Sequence, residues 1–198
     1  MIASSIRQRI MRKGRGSIFA PLDFLDIGSR ASVDQALSRL ADQGMIRRLT
    51  RGLYDYPRKS ARLGLLSPSA DDVAKAIARK DNQVLQPSPA MAANQLGLST
   101  QVPSKPIYMT DGPTRTKTVG RQVIQFRNAS SKTLVGAGQK TGAVFQALRY
   151  VGKNRVDSRV VDTLARNLDG KDRALLAKQS RYVPAWMHPV VQQIVARN

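Results

Sequence analysis

Residues 32–57, SVDQALSRLADQGMIRRLTRGLYDYP, decide how this chain is read. Val33, Ala36, Leu37, Leu40 and Ala41 recur at helical spacing, and Asp34, Gln35, Ser38, Arg39 and Asp42 fall on the other face. Ser32 with Gln35 fits a capping box, which satisfies two free N–H groups at a helix start. Gly44 suits the left-handed position that ends such a helix. Two short extended runs follow, 45–49 and 53–56, joined by Thr50-Arg51-Gly52. Pro57 closes the second run, where a missing donor does least harm. A short amphipathic helix running straight into a basic-tipped hairpin is the layout of a winged helix-turn-helix. In that layout the helix enters the major groove of DNA and the hairpin lies along the phosphates.

The flanking residues complete the unit. Residues 4–12 place Ile6, Ile10 and Met11 on one helical face, and Gly14-Arg15-Gly16 breaks the helix. Ser17-Ile18-Phe19 reads as a short extended piece. Pro21 then opens a second helix over 21–27 that carries Leu22, Phe24, Leu25 and Ile27 and stops at Gly28. Ser29-Arg30-Ala31 is expected as the tight turn into the central helix. Residues 58–70, RKSARLGLLSPSA, read as a basic linker.

Charge points to the partner. Lys and Arg number 33 against 13 acids, all of them Asp, for a net +20. Such an excess goes beyond what solubility needs and indicates a polyanion. The excess is not confined to the head, since residues 1–60 carry +7 of it. The residues expected to touch bases are Ser29, Arg30, Ser32, Gln35 and Arg39, because Arg pairs with guanine and Gln with adenine in the major groove. Arg47, Arg48 and Arg51 on the hairpin suit phosphates or the minor groove. Each position also has a structural reading: Ser32 and Gln35 as caps, the arginines as a solvated face.

Beyond residue 70 the pattern changes. Ser69 caps a helix over 71–80, with Asp71 and Asp72 in its first turn and Arg79 and Lys80 in its last, each charge complementing the helix dipole. Short strands are expected at 84–85, 107–110 and 123–126, with a short helix from Pro89 stopped at Gly97. Arg115, Lys117 and Arg121 lie on or beside the hairpins of this section, either as a second DNA-backbone contact or as a charged edge that resists aggregation. From about residue 138 the signal is helical, with helices over 141–151, 158–168 and 171–179 and a last one from Pro189. The expected fold class is therefore α+β. A winged helix-turn-helix over 1–60 and a linker over 61–70 precede a mixed α/β lobe over 71–198 that ends in helices.

No catalytic constellation emerges, and the expectation is a protein that is not an enzyme and uses no cofactor and no metal. The chain has no cysteine and one histidine, His188, which reads as a helix-start residue before Pro189. The Gly136-Ala137-Gly138 run lacks the pattern of a phosphate-binding loop. No apolar run reaches the ~20 residues that span a bilayer, and residues 1–12 lack a signal-peptide core, so a cytoplasmic location is expected.

Two blocks carry a family resemblance. The run 33–57 is one; the block 88–127, SPAMAANQLGLSTQVPSKPIYMTDGPTRTKTVGRQVIQFR, is the more distinctive. Its marks are Ala92-Ala93-Asn94, the run 96–103 and the strand end Tyr108-Met109-Thr110-Asp111-Gly112. In this order the two blocks resemble the AbiEi-like antitoxins of bacterial AbiE-type (type IV) toxin–antitoxin systems. The resemblance covers about residues 4–130. It implies an N-terminal domain that binds double-stranded DNA at an inverted-repeat operator and represses its own operon. It also implies a C-terminal antitoxin domain that counteracts a nucleotidyltransferase-like toxin without a stable complex. The other reading of the residues is a winged-helix regulator whose C-terminal lobe senses a small ligand.

Overall fold

A computed structural model of the chain describes residues 2–197 and has an α+β fold. It divides into two compact units, Met1–Asn82 with Thr118–Gln122, and Gln83–Lys117 with Val123–Asn198.

In the first unit, α1 (Ile2–Lys13) buries Ile6 and Ile10 against α2 (Arg30–Asp42), whose apolar stripe is Val33, Ala36, Leu37 and Leu40. Met11, expected on the buried face, is exposed, because its position lies a full step round α1 from Ile6 and Ile10. The expected helix over 21–27 is only a 3-10 turn, Pro21–Phe24. Phe24 alone of its large apolar side chains is fully buried, while Leu22 and Leu25 face outward. Strand β1 (Ile18–Phe19) pairs antiparallel with β3 (Leu53–Asp55), which also pairs antiparallel with β2 (Arg47–Thr50). Phe19 joins these layers: it meets Phe24 edge-on at 5.6 Å and stacks on Tyr54 at 6.5 Å.

Two expectations about boundaries change. The segment expected as a linker contains a small hairpin, β4 (Lys59–Ser60) with β5 (Gly64–Leu65). The helix expected to begin the second lobe, α3 (Ala70–Lys80), lies instead in the first unit. It buries Val73 and Ile77, and an ion pair the sequence does not announce adds to that packing. Arg79 reaches back to both carboxylate oxygens of Asp23, at 3.1 and 3.0 Å, and to the Ile18 carbonyl at 3.2 Å. The turn 118–122 also belongs here, with Gln122 Nε2 donating to the Pro68 carbonyl at 2.8 Å.

The second unit contains most of a four-stranded sheet in the order β6-β7-β9-β8, from β6 (Leu85–Pro87), β7 (Ile107–Thr110), β8 (Arg115–Val119) and β9 (Gln122–Asn128), the end of β8 and the start of β9 falling in the 118–122 segment. Strand β7 runs antiparallel to β6 and parallel to β9. Its helices are α4 (Pro89–Gln95), α5 (Lys140–Val151), α6 (Ser158–Arg166), α7 (Gly170–Gln179) and α8 (Met187–Ala196). They share a core that includes Phe145, Leu148, Leu164, Leu176 and Ile194. The glycine run near 136 has a packing role. A Cβ on Gly142 of α5 would fall 2.2 Å from the Gly136 carbonyl oxygen, and Gly136 itself has φ +72°. Gln86, buried in β6, donates to the Gly142 carbonyl at 2.8 Å and ties sheet to helix.

Candidate nucleic-acid interface

The geometry begins at the start of α2. The cap is Ser29, not Ser32: its Oγ accepts from the Ser32 N–H at 3.3 Å and lies 3.0 Å from the Ser32 hydroxyl. The helix therefore starts at Arg30, three residues earlier than the Ser32–Gln35 capping box places it. Gln35 is left without a capping role and points outward. Arg30 is also exposed but held, its Nε donating to Asp34 at 2.8 Å one helical turn on. Ser32, Gln35 and Arg39 fall on one stripe of α2 by their spacing, beside the buried stripe of Leu37 and Leu40.

On the hairpin the arginines separate by role. Arg48 and Arg51 are exposed, and neither they nor Arg39 has an ion pair among the described residues. Arg47 differs. It makes a two-pronged pair with Asp55, at 3.1 and 2.7 Å, and donates to the Leu66 carbonyl at 2.9 Å. Asp55 is 2% exposed at the side chain, and its hydrogen bonds hold the Arg47 guanidinium above its ordinary pKa. Arg47, expected on phosphates, is thus committed to the framework that carries the hairpin.

Of the later candidates, Arg115 lies in the second unit, where it donates to Gln83 Oε1 at 2.8 Å and covers the Phe126 ring at 5.2 Å. Lys117 is exposed in β8, and Arg121 is exposed in the turn assigned to the first unit. The structure does not gather Arg115 and Lys117 with the α2 residues in one unit.

The sequence reading missed three cations. Arg58, Lys59 and Arg62 lie on the small β4–β5 hairpin, all exposed. Ser60 Oγ accepts from the N–H groups of Arg62 and Leu63, at 3.3 and 3.2 Å, and shapes the turn. At the base, Arg15 lies 4.6 Å from the Tyr56 ring centre and donates to the Pro57 carbonyl at 3.0 Å. The available signal was Ser60 with Gly64 four residues on, a turn between two short extended pieces. Together these groups offer several unpaired N–H donors to phosphate oxygens, and two uncharged donors and acceptors, Ser32 and Gln35, to base edges.

Among the described residues no cluster of three or more His or carboxylate groups could hold a metal. No described helix is long and apolar enough to cross a membrane. No curated protein matches the chain. Over residues 5–174 the sequence matches DUF6088, a family of unknown function, and the chain belongs to that family.

Proposed function

We propose that the first unit is a winged helix-turn-helix, with α2 as the recognition helix and the β2–β3 hairpin as the wing, and that the protein represses transcription by binding double-stranded DNA. The observation that carries this reading is the division of labour on one small scaffold. Arg47 and Asp55 lock the hairpin, while Arg48 and Arg51 on the hairpin and Arg39 on the polar stripe of α2 are left exposed and without an ion pair among the described residues. A net charge of +20 supplies the electrostatic attraction.

The resemblance of 33–57 and 88–127 to AbiEi-like antitoxins supports a more specific form of this proposal. The operator is an inverted repeat upstream of the protein's own gene, and the second unit counteracts a nucleotidyltransferase-like toxin encoded beside it. Footprinting of full-length protein on its upstream DNA tests the first part, and protection against random duplex only would overturn it. Growth after induced toxin expression, with residues 83–198 supplied separately, tests the second. A stably folded 83–198 fragment that gives no protection would overturn the assignment of antitoxin activity to that unit.

A further inference from the structure

The second unit holds an open cavity of about 740 Å³, within the range of small-molecule sites. Lys132, Arg149 and Arg181 line it, with no carboxylate among the described residues of its lining. Arg149, in the last turn of α5, is the informative group. One guanidinium nitrogen donates to the Lys132 carbonyl at 3.1 Å, while its Nε is buried with no partner among the described residues. Burial lowers the Arg149 pKa from its ordinary value, and no carboxylate offsets that cost. Arg47 in the first unit shows the contrast, since there Asp55 supplies the counter-charge. A partly buried cation without a counter-ion favours an incoming anion. The lining also has an apolar part, Val135, Val183 and Pro184 with the Tyr182 ring. Tyr182 is 56% exposed and carries the Arg181 guanidinium 4.8 Å from its ring centre. An Arg–Tyr pair of this kind is a stacking platform for a planar base.

We propose that this cavity binds a nucleoside phosphate, with Lys132 and Arg149 on the phosphate and the Arg181–Tyr182 pair against the base. The cavity is far larger than an inorganic phosphate, and its apolar part has no use for one. The site lies in the second unit and rests on no part of the DNA-binding reading.

The test is calorimetric titration of full-length protein, at physiological salt, with nucleoside mono- and triphosphates, the free nucleosides and inorganic phosphate. The expected result is saturable binding of at least one nucleotide, at least tenfold tighter than its nucleoside or inorganic phosphate. Arg149→Gln and Arg181→Ala should each weaken it tenfold or more with the melting temperature unchanged. Arg51→Ala, on the first unit, should leave it unaltered. If Arg149→Gln does not fold, Arg181→Ala and Lys132→Gln carry the comparison. Absence of saturable binding, or indifference to the folded pocket variants, would overturn the proposal. Equal loss with Arg51→Ala would do so too, by assigning the nucleotide to the first unit's basic face. Inorganic phosphate binding as tightly as any nucleotide would overturn the nucleoside assignment.

Discussion

Asp55 uses both carboxylate oxygens on Arg47, and the two residues sit directly across the β2–β3 ladder from each other. Removing Arg47 leaves a buried carboxylate unpaired. Arg47→Ala should therefore destabilise the protein by about 3 kcal/mol, read from urea melts. Arg48→Ala, one residue on and exposed, should change stability by less than ~0.5 kcal/mol and instead weaken DNA binding. Loss of binding in the Arg47 variant alone is thus no evidence of a phosphate contact. Two further carboxylates make an acid-side prediction. A side-chain hydrogen bond from Arg9 lowers the Asp26 pKa, and one from Lys140 lowers that of Asp172. A carboxylate whose folded pKa is depressed stabilises the fold above its unfolded value of about 4, and that contribution disappears as pH falls through the folded value. The melting temperature should therefore drop below about pH 4, and the Asp172→Asn variant should show a shallower drop. An equal slope in the variant would remove Asp172 from the account.

At the scale of elements, α2 and the two hairpins are separable in their effects. Ser29 caps α2, so Ser29→Ala should cost ~1 kcal/mol of stability. Gln35 makes no such bond, so Gln35→Ala should leave the melt unchanged while costing ~1–3 kcal/mol of discrimination at one base pair, measured by competition with altered operators. Arg51→Ala should weaken binding to every sequence and reduce the salt slope by about one unit. The β4–β5 hairpin gives a sharper test, because its cations belong to a segment that reads as a linker. Lys59→Ala with Arg62→Ala should flatten the slope by about two further units if the hairpin lies on phosphates. An unchanged slope would place it outside the interface.

For the whole molecule, the first unit does not end with the hairpin at 58–66. Its helix α3 packs beside β1, buries Val73 and Ile77, and neutralises Asp23 through Arg79. A fragment of residues 1–60 would leave Asp23, with its side chain 16% exposed, without that guanidinium. The 1–82 fragment should therefore unfold cooperatively by circular dichroism, and the 1–60 fragment should be markedly less stable. Equal melting temperatures would make α3 dispensable. Residues 118–122 are a remaining contribution, since Val119 is buried and Gln122 bonds Pro68. The 1–82 fragment should accordingly fall somewhat short of the stability of the first unit in the full chain.

Local patterns in the sequence determined most of the helices by themselves. The 3.6-residue apolar spacing of α2, α5 and α6, and the cap Ser69, act within a few residues of where they are read. The α+β class and the Thr50-Arg51-Gly52 turn were legible for the same reason. Tertiary structure decided what depends on partners distant in the chain. It shortened the helix at 21–27 to a single 3-10 turn, in which Phe24 packs against Phe19. Arg47 was set apart from Arg48 by a carboxylate eight residues away, and α3 joined the first unit by burying Val73 and Ile77, with Arg79 paired to a carboxylate fifty-six residues away. Such choices follow from which charges meet when the chain is folded, and spacing along the sequence does not encode those meetings.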